Sequence, residues 1–135
     1  MKTTLRTILT LAVAATCTML VAPAAQAVCD AGHMCIYVNN DYSGTMRGFS
    51  NSKLSWGGFG LDDKASSASA NGTSCSKSYY YDNRDWTGDY FYLNSYTITG
   101  ANYQDPNLSN GAGYGTWATN NANDKISSAN FASCS

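Results

Sequence analysis

Asn123-Asp124-Lys125-Ile126-Ser127-Ser128 is a near-copy of Asp62-Asp63-Lys64-Ala65-Ser66-Ser67, which stands 61 positions earlier. The likeness extends outward, since Trp56 and Trp117 each lie six positions before their copy and Ala68 and Ala129 each follow it. Further upstream, Tyr37-Val-Asn-Asn-Asp-Tyr-Ser-Gly44 matches Tyr81-Asp-Asn-Arg-Asp-Trp-Thr-Gly88 at an offset of 44. The second copy therefore carries 17 extra residues between its halves, placed within Tyr96–Gly115. Two copies of one supersecondary unit are the frame into which the rest of the chain must fit.

The first 27 residues read as a removed secretory peptide. Lys2 and Arg6 give a positive start, Ile8 to Val21 is an apolar run too short for a comfortable membrane span, and Ala25-Gln26-Ala27 is a small-residue cleavage signal. The remaining 108 residues, Val28 to Ser135, suffice for one domain with a modest core, composed of repeat 1 (about 35–75) and repeat 2 (about 78–134). They hold six Lys and Arg against nine Asp and no Glu, a balance with no electrostatic footprint for nucleic acid or an anionic membrane. Tyr, Ser, Asn, Gly and Thr dominate, which suits short strands joined by tight turns and predicts an all-β fold.

Four cysteines follow the leader: Cys29, Cys35, Cys75 and Cys134. An even count in an exported chain reads as two disulfides, with three possible connectivities. Cys29–Cys35 with Cys75–Cys134 is favoured, because the last two each close a repeat just after its Ser-Ser strand. His33 is the sole histidine, and its spacing from the cysteines fits no zinc pattern.

Along the chain, Cys35–Val38 is a short strand entering the turn cluster Asn39–Asp41, and Thr45–Phe49 is the returning strand. Gly44 supplies the positive φ a folded hairpin needs, with Tyr37 expected to lie across the turned backbone. Asn51–Gly60 is a turn-rich connection with Leu54 and Trp56 as core anchors, and Ser66–Asn71 is the last strand of the first unit. Asn71–Ser74 links the copies. Ser78–Tyr81, the Asp82–Asp85 turn and Asp89–Leu93 repeat the hairpin. Tyr96–Gly115 is the insertion, punctuated by Asp105-Pro106 and Asn110-Gly111. Asn123–Phe131 repeats the loop and the final strand.

A Y-x4-[YW]-x-G segment followed by [DN]-[DN]-x-x-S-S, present twice, resembles the βγ-crystallin superfamily over nearly all of the chain after the leader. The resemblance implies a βγ-crystallin-like double Greek-key sandwich. Microbial members bind calcium through the second motif, which implies up to two sites, each built from one repeat's loop and the other repeat's hairpin backbone.

The residue types agree with calcium, which takes six to eight oxygen ligands. Asp63, Ser66 and the Lys64 carbonyl form the first candidate set, with Asp124, Ser127 and the Lys125 carbonyl as counterparts. Asp62 and Asn123 brace the loops or ligate, and Ser67 and Ser128 are read as strand starts bonded to backbone. Few charges per site point to micromolar-to-millimolar affinity. The competing reading is that these Asp, Asn and Ser clusters are Asx- and Ser-turns with no metal.

Cys29-x5-Cys35 with Tyr37 close behind is similar to the secreted actinobacterial peptidase-inhibitor family on this fold, best known for inhibiting metalloproteinases. That similarity implies a non-enzymatic, extracellular, monomeric protein with a protease partner, acting through a rigid loop that loses little entropy on binding. The known type has a second close cysteine pair at its reactive loop; here Cys75 has no partner before Cys134, so no reactive bond transfers. Candidate loops are Thr73–Ser78 and Tyr96–Gly115. The alternatives are a calcium-binding structural or stress module, and a wall-directed toxin or lectin using Tyr90, Tyr92, Tyr96, Tyr103 and Tyr114. No nucleophile setting surrounds His33 and no carboxylate pair stands out, so catalysis is not expected.

Overall fold

The computed structural model describes residues 28–50 and 60–135. The segment read as a secretory leader and the expected core anchors Leu54 and Trp56 lie outside these residues. Among the described residues, eight strands form two antiparallel sheets. The first contains β1 (His33–Tyr37), β2 (Met46–Phe49), β3 (Ser67–Asn71) and β6 (Gln104–Asp105), in the order β2-β1-β3-β6. The second contains β4 (Cys75–Tyr81), β5 (Tyr90–Asn94), β7 (Tyr114–Gly115) and β8 (Ser128–Cys134), in the order β7-β5-β4-β8. The expected all-β architecture is present, and its Greek-key character shows in β6. This strand comes from the second unit yet pairs with β3 of the first, Ala68 opposite Asp105 and Ser69 opposite Gln104.

Period-two alternation places the core between the sheets. Met34 and Ile36 of β1, Ala68 and Ala70 of β3, Tyr80 of β4, and Phe91 and Leu93 of β5 face inward and are buried. The rings of Tyr80 and Phe91 stack at 4.7 Å, and Trp117 packs on Phe91 at 6.1 Å. β1 is buried on both faces: Cys35 and Tyr37 form a second cluster with Cys29, capped by Tyr42 and Met46.

Both favoured disulfides are present, Cys29–Cys35 and Cys75–Cys134, the latter joining directly paired residues of β4 and β8.

Three local expectations are corrected. Thr73–Ser78 is not a free loop, because β4 already begins at Cys75. Nor is Tyr96–Gly115 one surface loop. It holds a helical turn, α1 (Tyr96–Thr99), then β6, a 3-10 turn at Leu108–Asn110 and β7, and it buries Leu108 and Ala112. Finally, it is Asn39, not Tyr37, that crowds Gly44: an added Cβ would meet the Asn39 amide nitrogen at 2.7 Å, at φ +76°. Gly88, at φ +85°, stands equally against Asn83, where the distance would be 2.6 Å. Tyr37 lies instead under Tyr42, edge to face at 5.6 Å.

Candidate functional site

The duplicated motifs meet along a pseudo-twofold relation that the hydrogen bonds make explicit. Ser67 Oγ donates to the Asn39 carbonyl (2.7 Å) and accepts from the Tyr42 amide (3.1 Å). Its counterpart Ser128 donates to the Asn83 carbonyl (2.5 Å) and accepts from the Trp86 amide (3.2 Å). The last serine of each copy thus begins its strand and clips that strand to its own unit's hairpin. The preceding serines repeat a second bond, Ser66 N–H to Tyr37 O at 2.9 Å and Ser127 N–H to Tyr81 O at 2.8 Å. Folding each hairpin back this far puts Asp41, Tyr42, Asp85 and Trp86 at φ between 55° and 60°.

The two Asp-Ser loops face each other. The Asp63 amide donates to Ile126 O, and the Asp124 amide to Ala65 O, while Ala65 and Ile126 are buried as the loops' inward anchors. Asp63, Lys64, Asp124 and Lys125 are exposed, Asp62, Ser66 and Asn123 are half-buried, and Ser127 is buried. The side chains regroup across the copies: Ser127 Oγ donates to Asp63 Oδ1 at 3.1 Å. Asn123 Nδ2 donates to its neighbour Asp124 Oδ2 at 2.8 Å. Arg84, from the second hairpin, reaches Asp62 Oδ2 of the first loop at 3.2 Å. Loop from one unit and hairpin from the other are therefore in contact at the first loop.

The donor set suits a hard cation. Asp62 Oδ1 is buried with no hydrogen-bond partner, while Oδ2 of the same carboxylate accepts from Arg84, and the neighbouring loop residues offer carboxylate and hydroxyl oxygens. Among the described residues no three His, Cys, Asp or Glu side chains converge on one point. Carbonyls and water would have to supply most of the shell, as calcium permits.

A second feature escaped sequence reasoning. A groove of about 240 Å³ is lined by Val28 and Cys29 of the N-terminal clip, by Tyr42 and Asn71, and by Tyr96 and Tyr103 of the insertion. Asn71 Nδ2 donates to Cys29 O at 2.9 Å, while its buried Oδ1 has no hydrogen-bond partner. Burial foremost, with the nearby Asp105 and Asp41, pushes the Tyr42 phenol up to about 12. Beside the groove, α1 projects Tyr96 and Ile98, 51% and 46% exposed. It is held firmly: Thr97 Oγ1 donates to Gly72 O, Ser95 Oγ to Cys75 O, and the αL cap Gly100 N–H to Tyr96 O. The inner half of the insertion is pinned by Asp105, whose two oxygens accept from the Asn107 and Gly113 amides, each at 3.1 Å. Burial raises the Asp105 carboxyl above its ordinary range, partly offset by those two amides.

The tyrosines named as sugar platforms divide into two groups, Tyr96 and Tyr103 at the groove and Tyr90, Tyr92 and Tyr114 on the second sheet. On the outer face of the second sheet, Tyr79, Tyr81, Tyr90, Tyr92 and Tyr114 pack on one another with centroids 5.0 to 6.1 Å apart. Lys77 Nζ sits 4.5 Å from the Tyr92 centroid. Only Tyr79 and Tyr81 are stacked; the other pairs are tilted by 31° to 40°, so the rings cover part of one another's faces, and Tyr114 stays 45% exposed.

Solved structures similar to this chain are βγ-crystallins. One, from work on the evolution of the eye-lens βγ-crystallin domain fold, is 20% identical, with 77% of this chain and 89% of that chain covered and a TM-score of 0.59. A βγ-crystallin from Ciona intestinalis is 16% identical over 73% of this chain and 98% of that one, with a TM-score of 0.54. One from an archaeon is 16% identical over 76% and 99%, with a TM-score of 0.53. At these identities the likeness establishes the fold alone. No curated protein matches the sequence. The sequence profile of peptidase inhibitor family I36 matches residues 22–93, more than half of the chain and including the N-terminal clip, both hairpins and the first Asp-Ser loop. With its two-disulfide βγ-crystallin fold, this chain belongs to peptidase inhibitor family I36.

Proposed function

We propose that this protein is a secreted inhibitor of an extracellular metalloproteinase and that it contacts the enzyme through the groove and the α1 lobe. One observation carries the reading: the N-terminal Cys29–Cys35 clip and the insertion, which has no counterpart in the first repeat, line one groove although about seventy residues separate them. Tyr96 and Ile98 offer exposed apolar anchors on a backbone already fixed by Gly72 and Cys75, so little ordering entropy is lost on docking. The lobe is a helical turn rather than an extended strand, which favours surface docking beside a cleft over substrate-like insertion. The two disulfides suit an extracellular setting. The test is a titration of the oxidised protein against a zinc metalloprotease and a subtilisin-type serine protease. Stoichiometric loss of metalloprotease activity, weakened at least tenfold by Tyr96→Ala with Ile98→Ser, supports the proposal. Inhibition of the serine protease alone, or of neither, refutes it.

A second proposal concerns the scaffold: the Asp-Ser loops take calcium. Asp62, Asp63, Lys64 O and Ser66, and Asn123, Asp124, Lys125 O and Ser127, are the residues that would hold it, and the buried, unpartnered Asp62 Oδ1 supports this reading. Bound calcium would neutralise the loop carboxylates and tie loops to hairpins. A ligand held only by the native state raises the melting temperature by mass action. Asp124→Ala with Ser127→Ala would remove about half of that gain if both loops bind; no calcium-dependent shift in the wild type would remove the proposal.

A further inference from the structure

The two loop–hairpin junctions share their backbone hydrogen bonds and differ in a pair of side chains. The first loop carries Asp62 where the second carries Asn123, and the second hairpin carries Arg84 where the first carries Asn40. Asp62 and Arg84 meet, Nη2 to Oδ2 at 3.2 Å, joining the first unit's loop to the second unit's hairpin. Asn123 brings no formal charge to the second loop and spends its amide on Asp124.

We propose that Arg84 is the resident cation of the first loop. In the metal-free protein its guanidinium balances Asp62 and ties the two units together, in the place where a divalent cation would otherwise do both. The inference rests on the calcium reading above and divides its two sites. Calcium reaching the first loop must take Asp62 from the guanidinium and then bear that positive charge beside it. The Arg84 side chain is 64% exposed, so it can withdraw into water when displaced. At the second loop no such competitor stands at the equivalent position. The first site is thus self-sufficient and the second metal-dependent, although their backbones are interchangeable.

Calcium titration calorimetry, with thermal melts in chelator and in excess calcium, tests this on the oxidised wild type, Arg84→Gln and Asp62→Asn. The expected wild-type result is two unequal sites. Arg84→Gln should tighten the weaker one by about threefold, the scale of one exposed ion pair. It should also lower the melting temperature in chelator, with calcium restoring it. Asp62→Asn should give no such tightening, which separates loss of a competitor from general loosening. Calcium binding by the wild type with affinities and metal-free melting unchanged in Arg84→Gln would overturn the role of Arg84 and leave the calcium reading standing. No calcium binding by either protein would overturn both.

Discussion

Asp63 and Asp124 hold one conformation on opposite sides of the pseudo-twofold relation. Each has a positive φ, 52° and 55°, and each donates its amide to the carbonyl two residues beyond the other, at 3.2 Å to Ile126 and 3.0 Å to Ala65. Aspartate tolerates this left-handed region, whereas β-branched residues do not. Asp63→Val and Asp124→Val should each lower stability by about 1–3 kcal/mol, and the glycine variants by clearly less. Urea denaturation in chelator measures both; equal losses for valine and glycine would show that backbone strain is not the cause.

Ser67 and Ser128 are fully buried, and each satisfies one hairpin carbonyl and one hairpin amide. Alanine at either position strands both partners, at a cost of about 1–3 kcal/mol. The symmetry predicts similar losses for Ser67→Ala and Ser128→Ala by thermal melting. A loss confined to one would show that the hairpins are held unequally.

Alkaline pH should unfold the protein through Tyr80. Its ring is fully buried and its hydroxyl donates to Ser69 O at 2.9 Å; burial, and secondarily Tyr37, raises its pKa above the ordinary 10.0. A raised folded-state pKa means that the contribution is complete below the unfolded value and lost as pH rises. Stability should therefore hold to about pH 10 and then fall by about 1.4 kcal/mol per pH unit from this residue alone. Tyr80→Phe should cost about 1 kcal/mol at neutral pH for the missing hydrogen bond and should flatten the alkaline decline. Tyrosinate absorbance followed alongside circular dichroism reports it; an unchanged alkaline slope would assign the decline to other tyrosines.

The two disulfides should differ in worth. Cys75–Cys134 closes a separation of 59 residues and Cys29–Cys35 one of 6. Chain entropy predicts a loss of about 2–5 kcal/mol for Cys75→Ser with Cys134→Ser, and less for the clip. Melting of the two double variants decides; a larger loss for the clip would mean that packing around Tyr37 outweighs chain entropy.

Much of this was legible in the residues. The Ser67 and Ser128 bonds to hairpin backbone, the disulfide pairing and the strand pairs around Gly44 and Gly88 follow from a duplicated motif, because a repeat constrains each reading twice. Where the repeat stops, legibility stops. Tyr96–Gly115 has no counterpart in the first unit, and nothing local says that Leu108 enters the core or that Gln104-Asp105 joins the other unit's sheet. The regrouping of Ser127 with Asp63 was hidden for a related reason: adjacency along the chain groups a loop with itself, whereas the fold sets loop against loop. The groove joining Val28 to Tyr103 depends on tertiary contacts alone.

The crossing of β6 has a kinetic meaning. A sequence that reads as two tandem halves cannot fold as two tandem halves, because the first unit's sheet lacks its fourth strand until Gln104 has been brought to Ser69, 35 residues away. Most of the chain must exist before either half is complete, and closing such distant pairs makes folding slow. In the reverse direction, neither half can separate without breaking the β3–β6 pairing, so the two halves should lose structure together.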